Sequence, residues 1–167
     1  MSLEKDIQQK EFRSEYHKAI INIMFTHTFL VGKMNDLFKN FGITRQQYNV
    51  LRILRGQHPG HASVNLIKER MLEKMSDASR IVERLRLKGF IRREDCKNDK
   101  RAVEVTITDK GLELIENMEE HVKKLDSIFY HLGEKETRDL NTLLDKLRTG
   151  GKQQPINEVD NLKELMR

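Results

Sequence analysis

The sequence predicts a mainly α-helical chain that carries one short β hairpin, and three observations predict it. Apolar residues recur at three- and four-residue steps through most of the chain, the period of helices with a buried side. Glycine and proline cut that pattern into pieces at Gly42, at GQHPGH (Gly56–His61), at Gly89 and at Gly133. One stretch departs from it: in CKNDKRAVEVTIT, Cys96–Thr108, a charged run leads into strict alternation. There Val103, Val105 and Ile107 fall on one side, and Glu104 and Thr106 on the other, as in a half-buried strand.

The elements follow in order. Tyr16, Ile20, Ile23, His27, Leu30, Met34, Leu37 and Phe41 form the stripe of a long helix that Gly42 ends. Ile21, Phe25 and Phe29 form a second stripe, so this helix must be covered on more than one side. Thr44 and Gln47 make a capping box, followed by Tyr48, Leu51 and Leu54 on one face of a second helix. A third, short helix is expected from about Asn65 to Leu72. Ser76 is the expected N-cap of a fourth, with Asp77 favourable at its positive end and Gly89 closing it. Phe90–Arg93 and Val103–Ile107 are the two hairpin strands. Thr108 and Asp109 open a helix striped by Leu114, Met118, Val122, Leu125, Phe129 and Leu132, which Gly133 breaks. Leu140, Leu144 and Leu147 mark a last helix. The tail from Gly150 to Arg167 is either flexible or a short helix. Three short helices followed by a two-stranded wing is the winged helix-turn-helix plan, here flanked by long helices.

Composition narrows the function. No apolar run approaches a membrane span and no signal peptide opens the chain, and a single cysteine allows no intrachain disulfide. The expected compartment is therefore the cytoplasm, with no membrane partner. Residues 1–59, 60–107 and 108–167 carry net charges of +4, +4 and −3. Basic charge is thus concentrated in the first two thirds of the chain, which is where a polyanion would bind. No Gly-rich phosphate loop, Ser-His-Asp order or zinc motif supports an enzyme, and no cofactor or metal is expected. The 37% hydrophobic content allows a core but not a generous one, so burial against a second subunit is expected.

Three segments resemble the MarR (multiple antibiotic resistance regulator) family of bacterial transcription factors. ITRQQYNVLRIL resembles the family's second helix. MSDASRIVERLRLKGFIRRE resembles its recognition helix, and DKRAVEVTITDKG its wing, with Asp-x-Arg, alternating apolars and Thr-x-x-Gly. They span about Ile43 to Gly111 in the right order. ERMLEKMS departs from the family in lacking the glycine often found in the helix-turn-helix turn. The resemblance implies a homodimer: an N-terminal dimerisation helix at 1–42, a DNA-binding lobe at 43–107, C-terminal dimerisation helices at 108–149 and a tail at 150–167, one intertwined domain overall. It implies a transcriptional regulator, expected to be a repressor released by a small aromatic or phenolic effector, on double-stranded DNA with an inverted-repeat operator.

Site residues follow from this layout. On a helical wheel Ala78, Ile81, Val82 and Leu85 of the fourth helix face the core. Ser76, Arg80, Glu83, Arg84 and Leu87 face away, with Asp77 and Ser79 flanking the N-terminal end. Arginine can bond guanine O6 and N7 together, and serine can bond several bases or a phosphate. Ser76, Asp77, Ser79, Arg80 and Arg84 are therefore the expected recognition-helix set. At the wing tip Arg101 is the candidate minor-groove probe, with Lys97, Asn98 and Lys100 on phosphates. Asp99 would hold the Arg101 guanidinium, as the resemblance also implies. Lys68, Arg70, Arg92 and Arg93 are backbone-contact candidates. The resemblance also places an effector site between the dimerisation helices and the DNA-binding lobe, for which Tyr16, His27, Phe29 and Met34 are candidates. His58 and His61 lack the further ligands a metal needs. The competing reading is a helical interaction protein whose winged helix binds another protein.

Overall fold

The structure is a computed structural model that describes residues 2–73, 76–95 and 103–150. The expected wing-tip residues Lys97–Arg101, Cys96, and the tail beyond Gly150 lie outside the described residues. The chain divides into two units, one running to Leu125 and one starting at Asp126.

The first unit opens with a four-residue helix, α1 (Leu3–Asp6), which the periodicity does not signal. Lys18 bonds Glu4 at 2.6 Å, and that hydrogen bond holds the Glu4 carboxyl down at about 2. The long helix α2 (Glu15–Asn40) is capped by Ser14, whose hydroxyl accepts the His17 N–H at 3.2 Å. It ends at Gly42, whose φ of +67° suits a residue without Cβ. α3 (Arg45–Arg55) begins with the expected capping box. Thr44 Oγ1 accepts from the Gln47 N–H at 3.2 Å, and Gln47 Oε1 accepts from the Thr44 N–H at 3.0 Å. The buried Phe38 ring of α2 stacks on Tyr48 of α3 with centroids 4.7 Å apart.

Three sequence expectations shift here. α4 spans Val64–Arg70 rather than Asn65–Leu72, because the Ser63 hydroxyl caps it by accepting the Leu66 N–H at 3.1 Å. α5 (Ala78–Leu87) is capped by Asp77, not Ser76. The Asp77 carboxylate accepts the Arg80 N–H at 3.1 Å, while the Ser76 hydroxyl turns to Glu73. The sheet has three strands instead of two: β1 (Ala62–Ser63), β2 (Ile91–Asp95) and β3 (Val103–Ile107), antiparallel in the order β1-β3-β2. A two-residue strand is too short to show alternation, so β1 leaves no periodic signal.

Register places Ile91 opposite Ile107 and Arg93 opposite Val105. Ile91, Val105 and Ile107 are buried and close the core against Leu51 and Leu54 of α3, Ile67 of α4, and Val82 and Leu85 of α5. α6 (Asp109–Lys123) starts as expected at Thr108, whose hydroxyl accepts the Gly111 N–H at 3.2 Å, and adds Ile115 and Met118 to that core. The helix expected to continue to Leu132 does not. A 3₁₀ stretch, Lys124–Phe129, follows α6, and stripes at three-residue steps do not separate the two helix types.

In the second unit α7 (Gly133–Gly150) buries none of its residues. Leu143 and Leu147 of α7 and Tyr130 before it are exposed.

Candidate nucleic-acid interface

Two features aim α5 outward. Its apolar stripe, Ala78, Val82 and Leu85, is fully taken by the core, with Ile81 half-buried beside it. Its C-terminal end is locked by Gly89, with φ +76°, whose N–H bonds the Arg86 carbonyl at 2.9 Å. The opposite face must therefore look to solvent. Arg80 is 83% exposed on its side chain, and Ser79 and Arg84 are exposed as well. This is the disposition the helical wheel predicts.

The charges on that face are not equivalent. Arg80 Nε donates to Asp77 Oδ2 at 3.1 Å, so the N-cap carboxylate both ends the helix and orients the guanidinium. Arg86 is bidentate on Glu83, at 2.9 and 2.7 Å, and its hydrogen bonds hold the Glu83 carboxyl below the usual carboxylate range. Arg84 has no ion pair among the described residues. Arg84 is thus the uncommitted cation of α5, and Arg80 the oriented one.

Two grooves flank the start of α5. One, of 270 Å³, runs between the first turn of α3 and the outer face of α5, lined by Thr44, Gln46, Ser76, Asp77, Arg80 and Arg84 among others. The second, of 410 Å³, lies between α4 and α5, lined by Val64, Asn65, Lys68, Ser76, Asp77, Ala78 and Ser79. The recognition-helix candidates Ser76, Asp77, Ser79, Arg80 and Arg84 are therefore brought together, and Lys68 joins them. Arg70 is exposed at the last turn of α4. Arg92 and Arg93 are both exposed but pair with Thr106 and Val105 respectively, so they leave opposite faces of the sheet. At most one of them can point to a given partner surface.

The effector candidates are not gathered. Tyr16 is 85% exposed, Phe29 and His27 are exposed, and Met34 packs against the core. Tyr16 and Met34 stand eighteen positions apart on one helix, about 27 Å at 1.5 Å per residue. Phe29 lines a 440 Å³ hollow with Phe25, Leu3 and Lys18. His61 Nε2 lies 3.5 Å from Glu104 Oε1.

Sequence reasoning missed one polar cluster beneath this face. Glu73, between α4 and α5, accepts from Gln46 Nε2 at 2.9 Å and from Ser76 Oγ at 3.3 Å, and pairs with Arg45. Beside it the Leu72 N–H donates to Asn49 Oδ1 at 3.1 Å. Its partners on α3 lie 27 and 28 positions away, and no local pattern announces such a contact.

An outward helix braced by two others, followed by a hairpin and entered by a capped turn, is the winged helix-turn-helix fold. The MarR family model matches residues 41–102, the segment that holds α3, α4, α5 and β2. The transcriptional regulator PecS of Dickeya dadantii is 27% identical over 131 residues, covering 77% of this chain and 79% of that protein. The transcriptional repressor IacR of Pseudomonas putida is 29% identical over 145 residues, covering 84% of this chain and 83% of that one. The crystal structure of a MarR transcription factor from Planctomyces limnophilus superposes with a TM-score of 0.63 at 29% identity, over 81% of this chain and 98% of that one. Over residues 41–102 the chain is therefore similar to the MarR family, and the relatives it matches over most of its length are named as transcriptional regulators.

Proposed function

We propose that the chain acts as a homodimer that holds an inverted-repeat operator and represses from it until a small aromatic or phenolic effector releases it. The observation that carries the DNA part is the outward face of α5. Two arginines line the groove between α3 and α5 while every large apolar side chain of the helix except Leu87 turns inward or halfway inward. α5 enters the major groove with Arg80 reading base edges. Arg84, Lys68, and whichever of Arg92 and Arg93 faces the duplex bind phosphates. The wing tip, Lys97 to Arg101, extends the contact to the neighbouring minor groove, with Asp99 fastening Arg101.

Exposed apolar surface supports the dimer. Tyr16, Ile20, Ile23, Met24, Phe25 and Phe29 of α2 are exposed, and α7 has no buried residue. Surface of that kind marks an interaction site. On this reading residues 1–42 and 108–149 serve dimerisation and 43–107 serves DNA binding. Repression follows the similarity to IacR, and an effector follows the family resemblance. Tyr16, His27, Phe29 and Met34 would serve it only if a second copy brought distant parts of the two α2 helices together.

Selection of binding sites from random DNA tests the proposal. The expected product is a palindrome whose half-site centres lie about one helical turn apart. Recovery of no preferred duplex, with the protein folded, would favour a protein partner for the winged helix instead.

A further inference from the structure

We propose that Glu73 is a positioning residue that sets the angle at which α5 meets DNA; this rests on the reading of α5 as the DNA-reading helix. The core fixes which face of α5 turns inward, but apolar contacts are non-directional and tolerate small rotations. Directional bonds must fix the rest. The C-terminal end of α5 is locked through Gly89 and through Lys88, whose ammonium donates to the Gly42 carbonyl and, at 3.4 Å, to Gln47 Oε1. At the N-terminal end, among the described residues, directional contacts to α3 run through Glu73. One carboxylate oxygen is held by the Arg45 guanidinium, and the other accepts from the Gln46 amide and the Ser76 hydroxyl. The Ser76 N–H also bonds the Glu73 carbonyl at 3.1 Å, and Ser76 immediately precedes the Asp77 cap. Glu73 therefore ties the cap of α5 to the first turn of α3 from both its side chain and its backbone.

The lever is short. α5 has ten residues and is about 15 Å long, so a 1 Å slip at the cap swings the helix by about 4°. Arg80 lies three residues from that cap, and bidentate base contacts do not survive displacement of about 1 Å.

Charge makes the role separable from a phosphate contact. Glu73 is an anion, so it cannot attract DNA. Removing it raises the net charge by one and frees Arg45. Non-specific affinity should then hold or rise while specific affinity falls.

The experiment measures fluorescence anisotropy with the selected operator and with a random duplex of equal length, for wild type, Glu73→Ala and Glu73→Gln. The expected result is a specific-to-random affinity ratio at least tenfold lower in Glu73→Ala, with random-duplex binding unchanged or tighter. Glu73→Gln, which keeps an acceptor for Gln46 and Ser76 but loses the Arg45 ion pair, should lower the ratio at least threefold, and it decides the matter if Glu73→Ala unfolds. A ratio within twofold of wild type in a folded variant overturns the role, as does an equal loss on both duplexes. A wild type that prefers no duplex would overturn the reading of α5 itself, whereas a discriminating wild type with equally discriminating variants would overturn only Glu73.

Discussion

Replacing Gly111 by Ala tests whether the start of α6 is as tightly joined to the wing as the structure indicates. A Cβ at Gly111 would stand 2.3 Å from the Phe90 carbonyl oxygen and 2.8 Å from Ile107 Cγ1, where ordinary contact is 3.4–4 Å. The oxygen cannot swing aside like the end of a long side chain. It belongs to the backbone at the entry to β2 and already accepts the Thr108 N–H at 3.1 Å. Thr108 Oγ1 in turn donates to the Gly89 carbonyl at 2.8 Å and accepts from Gly111, so both sides of the contact are fastened. Overpacking of this kind costs about 1–3 kcal/mol, and the immobile oxygen argues for the upper end. Alanine in a helix returns about 1 kcal/mol relative to glycine. The net loss should be near 2 kcal/mol, which for a chain of this length lowers Tm by about 4–8 °C. Urea denaturation followed by circular dichroism, at one fixed protein concentration, reads it. Specific DNA binding well below the transition should persist, since Arg80 and Arg84 are untouched. A midpoint unchanged or raised would refute the packing argument, because helix propensity alone would then have decided the outcome.

Other outcomes follow from the same structure. Light scattering at micromolar concentration should give a dimer, and charged residues in place of Ile23 and Phe25 on α2 should shift it toward monomer; a wild-type monomer would count against the exposed α2 face as an interface. Affinity for duplex should fall with salt with a slope beyond about −4 in log K against log salt, since each neutralised phosphate contributes about −0.9; a flat profile would exclude a polyanion. Arg80→Ala should cost roughly 1–3 kcal/mol per site and relax sequence preference at one position. Arg101→Ala should weaken binding broadly and most at A·T-rich flanks. Asp99→Ala should act in the same direction as Arg101→Ala, and tighter binding by it would reject the fastening role.

How much of this was legible in the sequence depends on the range of the interaction. The capping box at Thr44 and Gln47, the cap at Thr108, and the helix ends at Gly42 and Gly89 are contacts within a few residues, and each is read directly from residue type and spacing. The outward face of α5 is equally legible, because a core stripe of Ala78, Val82 and Leu85 leaves only one direction for Arg80 and Arg84. The cap of α5 was read one residue early, since Ser76 and Asp77 are both good caps. The choice between them is made by Glu73, which takes the serine hydroxyl. β1 was invisible because two residues cannot alternate, and the 3₁₀ stretch after α6 because its stripe fits either helix.

Glu73 marks the other limit. Local reading sees a missing glycine and an acidic residue in a turn, and on a DNA-facing element a carboxylate looks unfavourable. What reverses that judgement is the arrival of Arg45 and Gln46 from α3, which depends on the core having already packed α3 against α5. The same logic separates affinity from specificity along this surface. Net charge is a sum over exposed cations and can be counted from the sequence. Discrimination depends on where one guanidinium stands to within about 1 Å, and on the proposed reading of α5 two carboxylates would set that position. Asp77 pairs with Arg80 directly, and Glu73 accepts from Ser76, the residue before Asp77. Acidic residues on a basic face are therefore not a dilution of its charge, and changes at these two positions should move specificity more than they move total binding.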